Sequence, residues 1–420
     1  MIDHRKLGRE LELFHSDPLA GAGLPIWLPA GAAARHAVEE YIREEERRAG
    51  YQHVYSPPVA KRQLYELSGH LPHFAEDMFP LMRLSPDDEF ALRPALCPHH
   101  ALVYRSRGRS YRDLPLRIAE LGGMYRAERS GVLGGLSRVR SIWLNDGHNF
   151  CPLDRAGEEV AAVLEMIQRA HAALGVRPAG FRLSLRGAGD KYVDNPPMWK
   201  RTEDVLRGVL KDLCVSYVEA PDEAAFYGPK IDVQVVDAAG REMTLSTVQL
   251  DFHQAARFDL SYVDRDGERR RPVIVHRSVV GSMERLFAYL VEVHEGAFPA
   301  WFAPVQLEIL PVGDVAVDHF SRAAIAAGLR AEVSWEGTLA ARVRAAAKRK
   351  VPFVAVIGAR EAAANNVSLR IRNGGEHPLP APEALTRISA ATHPPLDKAV
   401  GGGGGPLGPP AAGAAPGAVS

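Results

Sequence analysis

The sequence has few of the features that mark secreted, membrane-embedded or strongly charged proteins. It has 3 cysteines in 420 residues, which argues against a disulfide framework and for a reducing compartment. No apolar run approaches the roughly 18 residues needed to cross a bilayer, and the charged N-terminus lacks the apolar segment of a secretory signal. Basic and acidic residues balance at 51 each, so any contact with nucleic acid must be local. We therefore expect a soluble, cytoplasmic protein with no membrane partner.

The segment 124–151 concentrates charged side chains on a pattern typical of an antiparallel β-hairpin. Arg126 and Glu128 lie one residue apart on its first arm, and Asp146 and His148 lie one residue apart on its second. Because alternate residues of a strand point to one face, each pair can contact one ligand together. One end would offer cations to a phosphate and the other a carboxylate and an imidazole, although an exposed hairpin with solvated charges fits equally well. The predicted tip holds Gly131, Gly134 and Gly135.

Hydrophobic periodicity divides the chain into two folded units and a tail. In the first unit, residues 1–302, the stretch 215–280 alternates like an antiparallel sheet, and the helix predicted at 281–292 is apolar on most sides and hence buried. In the second unit, residues 303–395, strands alternate with helices, which predicts a small α/β domain on a mainly parallel sheet. Residues 396–420 are rich in Gly, Pro and Ala and predict a disordered tail. Further helices are predicted at 4–15, 32–49, 61–68 and 153–174, and a strand at 51–59.

Three further features are candidates for binding. Cys97 stands near His99 and His100, which favours a metal site, but an isolated cysteine is more often a small buried hydrophobe. Arg285 lies in the first turns of the buried helix, where it needs a charged partner or an anionic ligand. The basic run 342–350 is by default a solvated helix face, and a nucleic-acid contact is the second interpretation.

Together these features resemble the three motifs of class II aminoacyl-tRNA synthetases. Motif 1 would be the helix at 32–49 with Pro57, motif 2 the residues 125–128 with their loop, and motif 3 the residues 281–285. Several segments are similar in particular to the threonyl-tRNA synthetase family, over residues 3 to about 390: DHRKLGRELELFH, SYRDLPLRIAELG, FYGPKID, TVQLDF, VIVHRSVVGSMER and FPAWFAPVQ. The resemblance implies an α+β catalytic domain on an antiparallel sheet, followed by a small α/β anticodon-binding-like domain. It also implies a homodimer formed through motif 1.

The resemblance implies a zinc ion in each subunit, held by one cysteine and two histidines. These ligands fall on Cys97, His148 and His276. Three protein ligands leave an open position, as in a working rather than a structural zinc site. In this family the ion binds the amino and hydroxyl groups of threonine, which valine cannot satisfy because it lacks the hydroxyl.

The resemblance also assigns residues to ATP, which would bind with Mg²⁺. Arg126 would hold the amino-acid carboxylate and the α-phosphate, and Arg285 would hold the triphosphate. Glu128 would accept a hydrogen bond from the adenine amino group, while Arg138 would bind the γ-phosphate. Gln249 would line the same site.

Two residues would fix the substrate amine, namely Asp146 and Tyr227. Arg126, Arg285 and Lys230 would be the catalytic residues. The implied reaction is adenylation of L-threonine by ATP, followed by transfer to tRNA(Thr), driven by positioning and electrostatics.

In the second unit, Glu361, Arg370 and Arg372 match positions that the family uses to contact anticodon bases. The basic segment expected before the helix at 338–348 is replaced by residues 335–338, which read Trp-Glu-Gly-Thr.

The second arm of the predicted hairpin departs from the family at three positions. Ile142 replaces an aromatic that stacks on adenine, Leu144 a glutamine beside the amino acid, and Asn145 an acid. The chain begins at the catalytic domain, so we expect it to lack the family's editing domain and to misacylate tRNA with serine measurably.

Three functions therefore remain open from the sequence. The first is a threonine–tRNA ligase, either a housekeeping enzyme or an inhibitor-insensitive second copy. The second is an enzyme that adenylates threonine or a related amino acid for an acceptor other than tRNA. The third is a non-catalytic relative that binds tRNA.

Overall fold

The computed structural model describes residues 2–396. The tail predicted at 396–420 falls outside this range except for its first residue. Within residues 2–396, no helix combines the length and the apolar character needed to cross a membrane.

The first unit contains nine of the helices and fifteen of the strands that the structure describes. Its helices are α1 His4–Glu10, α2 Pro29–Arg48, α3 Arg62–Leu67, α4 His70–Phe74, α5 Cys97–Arg105, α6 Ala156–Leu174, α7 Pro196–Asp212, α8 Gln254–Arg257 and α9 Met283–Val293. Its strands are β1 Phe14–His15, β2 Ile26–Trp27, β3 Gln52–His53, β4 Val59–Lys61, β5 Met82–Ser85, β6 Asp88–Leu92, β7 Leu116–Tyr125, β8 Ser141–Cys151, β9 Gly180–Ser184, β10 Tyr217–Ala220, β11 Lys230–Val236, β12 Glu242–Asp251, β13 Tyr262–Val263, β14 Arg269–Arg270 and β15 Val273–Ser278.

Eight of these strands form one sheet in the order β10-β9-β11-β12-β15-β8-β7-β3. The six inner strands pair antiparallel, as predicted, and only the two edge strands β10 and β3 pair parallel. The register places Lys230 opposite Gln249, Gln249 opposite His276, and His276 opposite His148. Directly opposed residues of antiparallel strands share a face of the sheet. The pairing therefore aligns four side chains from four strands in one row.

The two faces of the sheet are covered differently. On one face, Val248, Leu250 and Val275 are fully buried in the largest apolar core, which α2, α6 and α9 complete. On the other face, Ile118 and Ile274 pack in a smaller apolar cluster with residues of α5. Because His148 and His276 differ by an even number of positions from Phe150 and Ile274, they lie on the α5 face. The helix that begins at Cys97 thus covers the face that carries the two histidines.

Local signals explain where the helices begin and end. Proline stands at the first position of α2, where its missing N–H costs nothing, and Gly50 follows the helix with φ +79°. The side chain of Ser282 accepts a hydrogen bond from the Arg285 N–H, which caps α9. The helix predicted at 4–15 is too long, because α1 ends at Glu10 and the chain then turns so that β1 pairs with β2.

The second unit has four helices and five strands among the described residues. These are β16 Leu307–Pro311, α10 Asp318–Ala326, β17 Ala331–Val333, α11 Leu339–Lys348, β18 Phe353–Ile357, α12 Ala359–Ala363, β19 Asn366–Ile371, β20 Glu376–Pro380 and α13 Ala381–Thr392. The strand order is β17-β16-β18-β19-β20, with a separate apolar core.

The prediction of a mainly parallel sheet is only half right for this unit. Strands β17, β16 and β18 are parallel, whereas β19 and β20 pair antiparallel. The short turn after β19 returns the chain directly, and a hairpin is antiparallel by geometry. The two prolines of β20 hid this strand from the sequence analysis, but an edge position tolerates them.

Two helical glycines give a paired test of the packing of α2. A Cβ at Gly31 would lie 1.9 Å from the backbone oxygen of Leu13, whereas one at Gly208 in α7 would meet nothing within 4 Å. We predict that Gly31→Ala destabilises the protein by about 1–3 kcal/mol and that Gly208→Ala stabilises it by up to about 1 kcal/mol. Urea denaturation followed by circular dichroism measures both. An equal effect of the two substitutions would contradict this packing.

Candidate functional site

A cavity of about 420 Å³ opens between the α5 face of the sheet, the loop between β7 and β8, and the start of α9. Most of the residues singled out from the sequence line it, although they come from separate parts of the chain. These are Cys97, Arg126, Glu128, Arg138, Asp146, His148, Tyr227, Gln249, His276 and Arg285. The fold therefore brings together side chains up to about 190 positions apart in sequence.

One end of the cavity holds a cluster of metal-ligand type. Cys97, His148 and His276 each present a ligand atom, and these atoms lie within 4.8 Å of one another. The His148 Nε2 and His276 Nδ1 atoms are 2.8 Å apart. A thiolate and two imidazole nitrogens suit zinc, and three protein ligands would leave a position open for substrate.

The remaining nitrogen of each imidazole already has a partner. His276 Nε2 lies 2.9 Å from Asp251 Oδ2. His148 Nδ1 lies 2.7 Å from His100 Nδ1, and His100 Nε2 lies 3.2 Å from Glu120 Oε2. Such outer partners fix the ring orientation and the tautomer of metal-binding histidines. This arrangement directs His148 Nε2 and His276 Nδ1 toward the cluster.

The carboxylate behind His100 is itself firmly held. Glu120 Oε2 accepts a hydrogen bond from the Ser56 hydroxyl at 2.6 Å, and its Oε1 lies 3.1 Å from a guanidinium nitrogen of Arg93. These contacts explain Gly122, where a Cβ would lie 2.7 Å from Arg93 and 2.9 Å from Glu120.

Electrostatics in the cluster favour a bound cation. Burial, together with His276 and His100, lowers the pKa of His148 well below its ordinary value, so the ring is neutral and can ligate. Burial, together with Asp146 and Asp251, raises the pKa of Cys97 well above its ordinary value. A metal ion would have to hold this sulfur as a thiolate. The donor set and its surroundings therefore fit zinc.

The other end of the cavity is cationic. Arg285 donates to the backbone oxygens of Ser137 and Thr244. Burial lowers its pKa, and so do the nearby charges of Arg126 and Arg138. The Arg126 side chain makes no hydrogen bond or ion pair with any residue between 2 and 396 and is exposed to the cavity. Among residues 2–396, Arg126 and Arg285 have no carboxylate partner, so this end of the cavity suits an anion.

Arg126 and Glu128 reach the cavity in a different way from that predicted. Strand β7 ends at Tyr125, so the two residues follow the strand rather than alternate within it. Glu128 binds Arg138, with 2.8 Å between its Oε2 and a guanidinium nitrogen. Asp146 and His148 do lie on one strand, β8, and share its inner face as predicted.

Between the two ends of the cavity lie polar groups that can still form hydrogen bonds or ion pairs with a ligand. The Tyr227 hydroxyl donates to Gln249 Oε1 at 3.0 Å, and Gln249 Nε2 is buried without a partner among residues 2–396. Burial raises the pKa of Asp146. An unsatisfied amide and a desolvated carboxylate beside the metal cluster suit a substrate that brings a polar or cationic group.

Lys230 lies next to Gln249 in the strand register but is not among the residues that line the cavity. Its ammonium group is 2.6 Å from Asp232 Oδ2, and Asp232 also accepts from the Thr247 hydroxyl at 2.8 Å. Lys230 is therefore linked to the cavity indirectly, through Asp232 and the cavity-lining Thr247.

The three departures noted in the hairpin fall in two places. Ile142 and Leu144 line the cavity. Asn145 points to the opposite face, where its Nδ2 donates to Glu46 Oε1 at 2.8 Å and its Oδ1 accepts from the Val279 N–H at 3.1 Å. Only the first two can therefore contact a ligand in the cavity directly.

Sequence reasoning missed the residues behind the site. Arg277 is fully buried and binds Glu46 of α2 at 2.7 Å, with its guanidinium 4.3 Å from the ring centre of Tyr51. His100, Glu120 and Asp251 were also missed as partners of the ligands. The second of the two histidines after Cys97, His100, was the available signal. Its contact with His148 could be found only from the folded structure.

The predicted anticodon residues have structural contacts in the second unit. Glu361 accepts from the Gly358 N–H at 3.0 Å and caps α12. Arg370 pairs with Glu376 at 2.8 Å. Arg372 donates to the backbone oxygens of Lys350 and Phe298, which ties this unit to the end of the first.

The basic run 342–350 is not simply a solvated face. Arg342 is buried and donates to the Ser334 oxygen at 2.7 Å, while Arg349 pairs with Glu332. The other cations of the run remain available for contact with a partner.

Comparisons with known proteins agree with this architecture. A family model described as tRNA synthetase class II core domain (G, H, P, S and T) matches residues 81–294. A second, described as anticodon binding domain, matches residues 306–390. The resemblance and the fold class predicted from the sequence are confirmed.

Relatives and solved structures point the same way. Threonine–tRNA ligases of Listeria welshimeri serovar 6b and Lactobacillus gasseri are each 47% identical, over 375 and 384 residues, or 88% and 90% of this chain. The chain spans 58% and 60% of those proteins. A crystal structure of the RNA-binding domain of threonyl-tRNA synthetase from Cryptosporidium parvum Iowa II is similar, with a TM-score of 0.87 and 32% identity. The aligned region covers 93% of this chain and 98% of the Cryptosporidium parvum chain.

The metal cluster gives a direct test with a matched control. We predict about one zinc ion per chain. Cys97→Ser should weaken zinc binding by more than the roughly 10–100-fold expected for His100→Ala, which removes only an outer partner. Cys214→Ser, at an exposed cysteine, should change nothing. Chelator competition measures all three, and equal affinities in the Cys97→Ser and Cys214→Ser variants would overturn the assignment.

Proposed function

The chain belongs to the class II tRNA synthetase family, and from this premise we propose that it activates L-threonine with ATP and transfers it to tRNA(Thr). The observation that carries the proposal is the juxtaposition, in one cavity, of the Cys97–His148–His276 cluster and the cations Arg126 and Arg285. In this proposal, a site for threonine lies beside a site for phosphate. The threonine–tRNA ligases at 47% identity support the same amino acid.

The cationic end of the cavity would hold ATP with Mg²⁺. The Arg126 side chain has no partner among residues 2–396 and would contact both the carboxylate of the amino acid and the α-phosphate. Arg285 is fixed by the carbonyls of Ser137 and Thr244, so its charge is already oriented when the triphosphate enters. Mg²⁺ would neutralise the phosphate oxygens that the arginines leave free.

Adenine would bind where Glu128 and Arg138 now pair. Breaking this partly exposed ion pair costs little free energy. Glu128 is then free to accept a hydrogen bond from the adenine amino group. Arg138 is then free to contact the γ-phosphate. Ile142 would cover the base with an aliphatic surface in place of a stacked ring.

The other end would hold threonine. Asp146, with the Tyr227 hydroxyl and the Gln249 amide nearby, would receive the substrate ammonium group. Cys97, His148 and His276 would hold zinc. When bound, zinc would supply a Lewis-acid position for the amino and hydroxyl groups of the substrate.

Chemistry would then follow from positioning. The threonine carboxylate attacks the α-phosphate in line and pyrophosphate leaves, while Arg126 stabilises the charge that develops on the phosphate oxygens. A ribose hydroxyl at the end of the tRNA next attacks the carbonyl of the adenylate and releases AMP. Lys230 would support this site through Asp232 rather than by direct contact.

The remaining assignments concern assembly. We place the catalytic unit at residues 1–302 and the anticodon-binding unit at 303–395, which the separate apolar cores support. Glu361, Arg370 and Arg372 would meet the anticodon, although Arg372 would first have to release two carbonyls. α2 with Pro57 would form a homodimer in the cytoplasm.

The other two functions are less well supported. An enzyme that charges a non-tRNA acceptor has no use for a unit that matches an anticodon binding domain. A non-catalytic relative would not need the unpaired Arg126 or the buried metal cluster. ATP–pyrophosphate exchange followed by tRNA charging distinguishes the three.

The first kinetic prediction concerns Arg126. Arg126→Ala should lower threonine-dependent ATP–pyrophosphate exchange by about 10²–10³-fold, because it removes a fixed donor from the α-phosphate. Arg129 lies in the same loop and its side chain is 88% exposed, so Arg129→Ala should change the rate by less than about twofold. Similar rates for the two variants would show that Arg126 does not serve the reaction.

The second concerns amino-acid choice. A site that binds the substrate hydroxyl should favour threonine over valine by about 10⁴-fold in kcat/KM for exchange, but over serine by only about 10–200-fold, because serine lacks one methyl group. Exchange assays with the three amino acids measure both ratios. If kcat/KM for valine is reduced only as much as kcat/KM for serine, the site distinguishes amino acids by shape alone and the zinc assignment is wrong.

A further inference from the structure

Eight arginines occur in the segments 105–112 and 265–271, which lie side by side in the first unit. We call this surface the arginine patch. Ser110 and Val263 form a β-bridge that joins the two segments. The Tyr111 ring lies between them, with the guanidinium of Arg265 5.3 Å from its centre and that of Arg112 5.5 Å away. The patch is therefore a single surface formed by two distant parts of the sequence.

A depression of about 230 Å³ lies within the arginine patch. Arg105, Arg107, Arg109 and Arg269 all line it. The patch shares no lining residue with the cavity described above. It lies at the end of α5 opposite Cys97, roughly 12 Å along a helix of this length.

Among residues 2–396, the nearby acids pair with three of these eight cations. Five carboxylates occur in 105–113 and 259–271. Two of them bind the same arginine, since Asp264 and Asp266 both pair with Arg270. Asp113 accepts from the Ser110 N–H at 2.8 Å and lies 3.8 Å from Arg107, while Asp259 lines the depression and lies 3.9 Å from Arg271. In the part of the chain that the structure describes, five of the eight arginines have no carboxylate within 4.0 Å, namely Arg105, Arg109, Arg112, Arg265 and Arg269.

Arg109 is an unusual cation because it is buried. Its exposed fraction is 9%, and it donates only to the backbone oxygens of Tyr104 and Val103 at the end of α5. A buried guanidinium without a carboxylate keeps its charge uncompensated, and here it adds to the field in the depression.

We propose that the arginine patch binds the phosphate backbone of RNA, as a contact with tRNA separate from both the catalytic cavity and the anticodon-binding unit. This inference rests on the proposed function for the identity of the RNA. Several exposed guanidinium groups on one surface suit several phosphates, because each can bind a phosphate through two N–H groups. A single free anion would occupy the depression but leave unused Arg112 and Arg265, which do not line it.

The test uses the full chain and a tRNA(Thr) transcript. Arg105→Gln/Arg269→Gln removes two exposed cations of the patch that have no carboxylate within 4.0 Å among residues 2–396, and it should raise the Kd for the transcript about tenfold at 0.1 M salt. The slope of log K against log salt concentration should fall by about 1.5, as expected for two phosphate contacts. Threonine-dependent exchange should be unchanged, since no patch residue lines the cavity.

Two further variants serve as controls. Arg9→Gln/Arg201→Gln removes two exposed arginines elsewhere that have no carboxylate within 4.0 Å among residues 2–396, and it should leave binding unchanged. Arg105→Lys/Arg269→Lys keeps the charge and should retain most of the affinity and of the salt slope. A thermal melt of each variant confirms that the fold is intact.

The outcomes distinguish a failure of the proposed function from a failure of the arginine patch proposal. Wild-type protein that binds tRNA but shows no exchange would contradict the proposed function, and the binding comparison would still decide the patch. Equal affinities of the patch and control glutamine variants for the transcript would overturn the patch. So would a loss of affinity in the lysine variant as large as in the glutamine variant.

Discussion

The site depends on one chain of buried side chains that crosses the sheet. Glu120 contacts His100, His100 contacts His148, His148 contacts His276, and His276 contacts Asp251. The strand register creates this chain, because β7, β8, β15 and β12 place these residues on one face. A carboxylate at each end orients the rings, and His148 and His276 can then share a cation with Cys97. A slip of one residue in β8 or β15 would move a histidine ring to the opposite face and abolish the cluster.

The opposite face of the sheet connects the site to α2. Arg277 follows His276 and therefore points the other way, where it meets Glu46 and the ring of Tyr51. Asn145 precedes Asp146 and joins the same group by donating to Glu46. Removing one partner of such a buried pair leaves a charge without compensation, which typically costs 3–5 kcal/mol. The helix that we propose as the dimer element is thus linked, through neighbouring residues on two strands, to the residues that would bind metal and substrate.

Sequence analysis located the candidate site well where the pattern is local and less well where it depends on register. The alternation of Asp146 and His148 was readable, and so was the buried position of the helix that carries Arg285. The pairing of Glu128 with Arg138, and the contact of Lys230 with Asp232 rather than with the cavity, depend on side-chain reach that no motif encodes. Outer partners such as Glu120 come from a strand about twenty positions away, so only the folded register reveals them. The edge strand β20 was missed in the second unit for a different reason, because its two prolines hide the strand pattern.

The central claim is that Cys97, His148 and His276 hold a metal ion that contacts the amino acid. The most direct measurement is the absorption spectrum of the protein loaded with Co²⁺, titrated with L-threonine and, separately, with L-valine. We expect a thiolate-to-cobalt charge-transfer band that Cys97→Ser removes, and ligand-field bands that shift with threonine but not with valine. A charge-transfer band that survives the substitution, or ligand-field bands that do not respond to threonine, would contradict the claim.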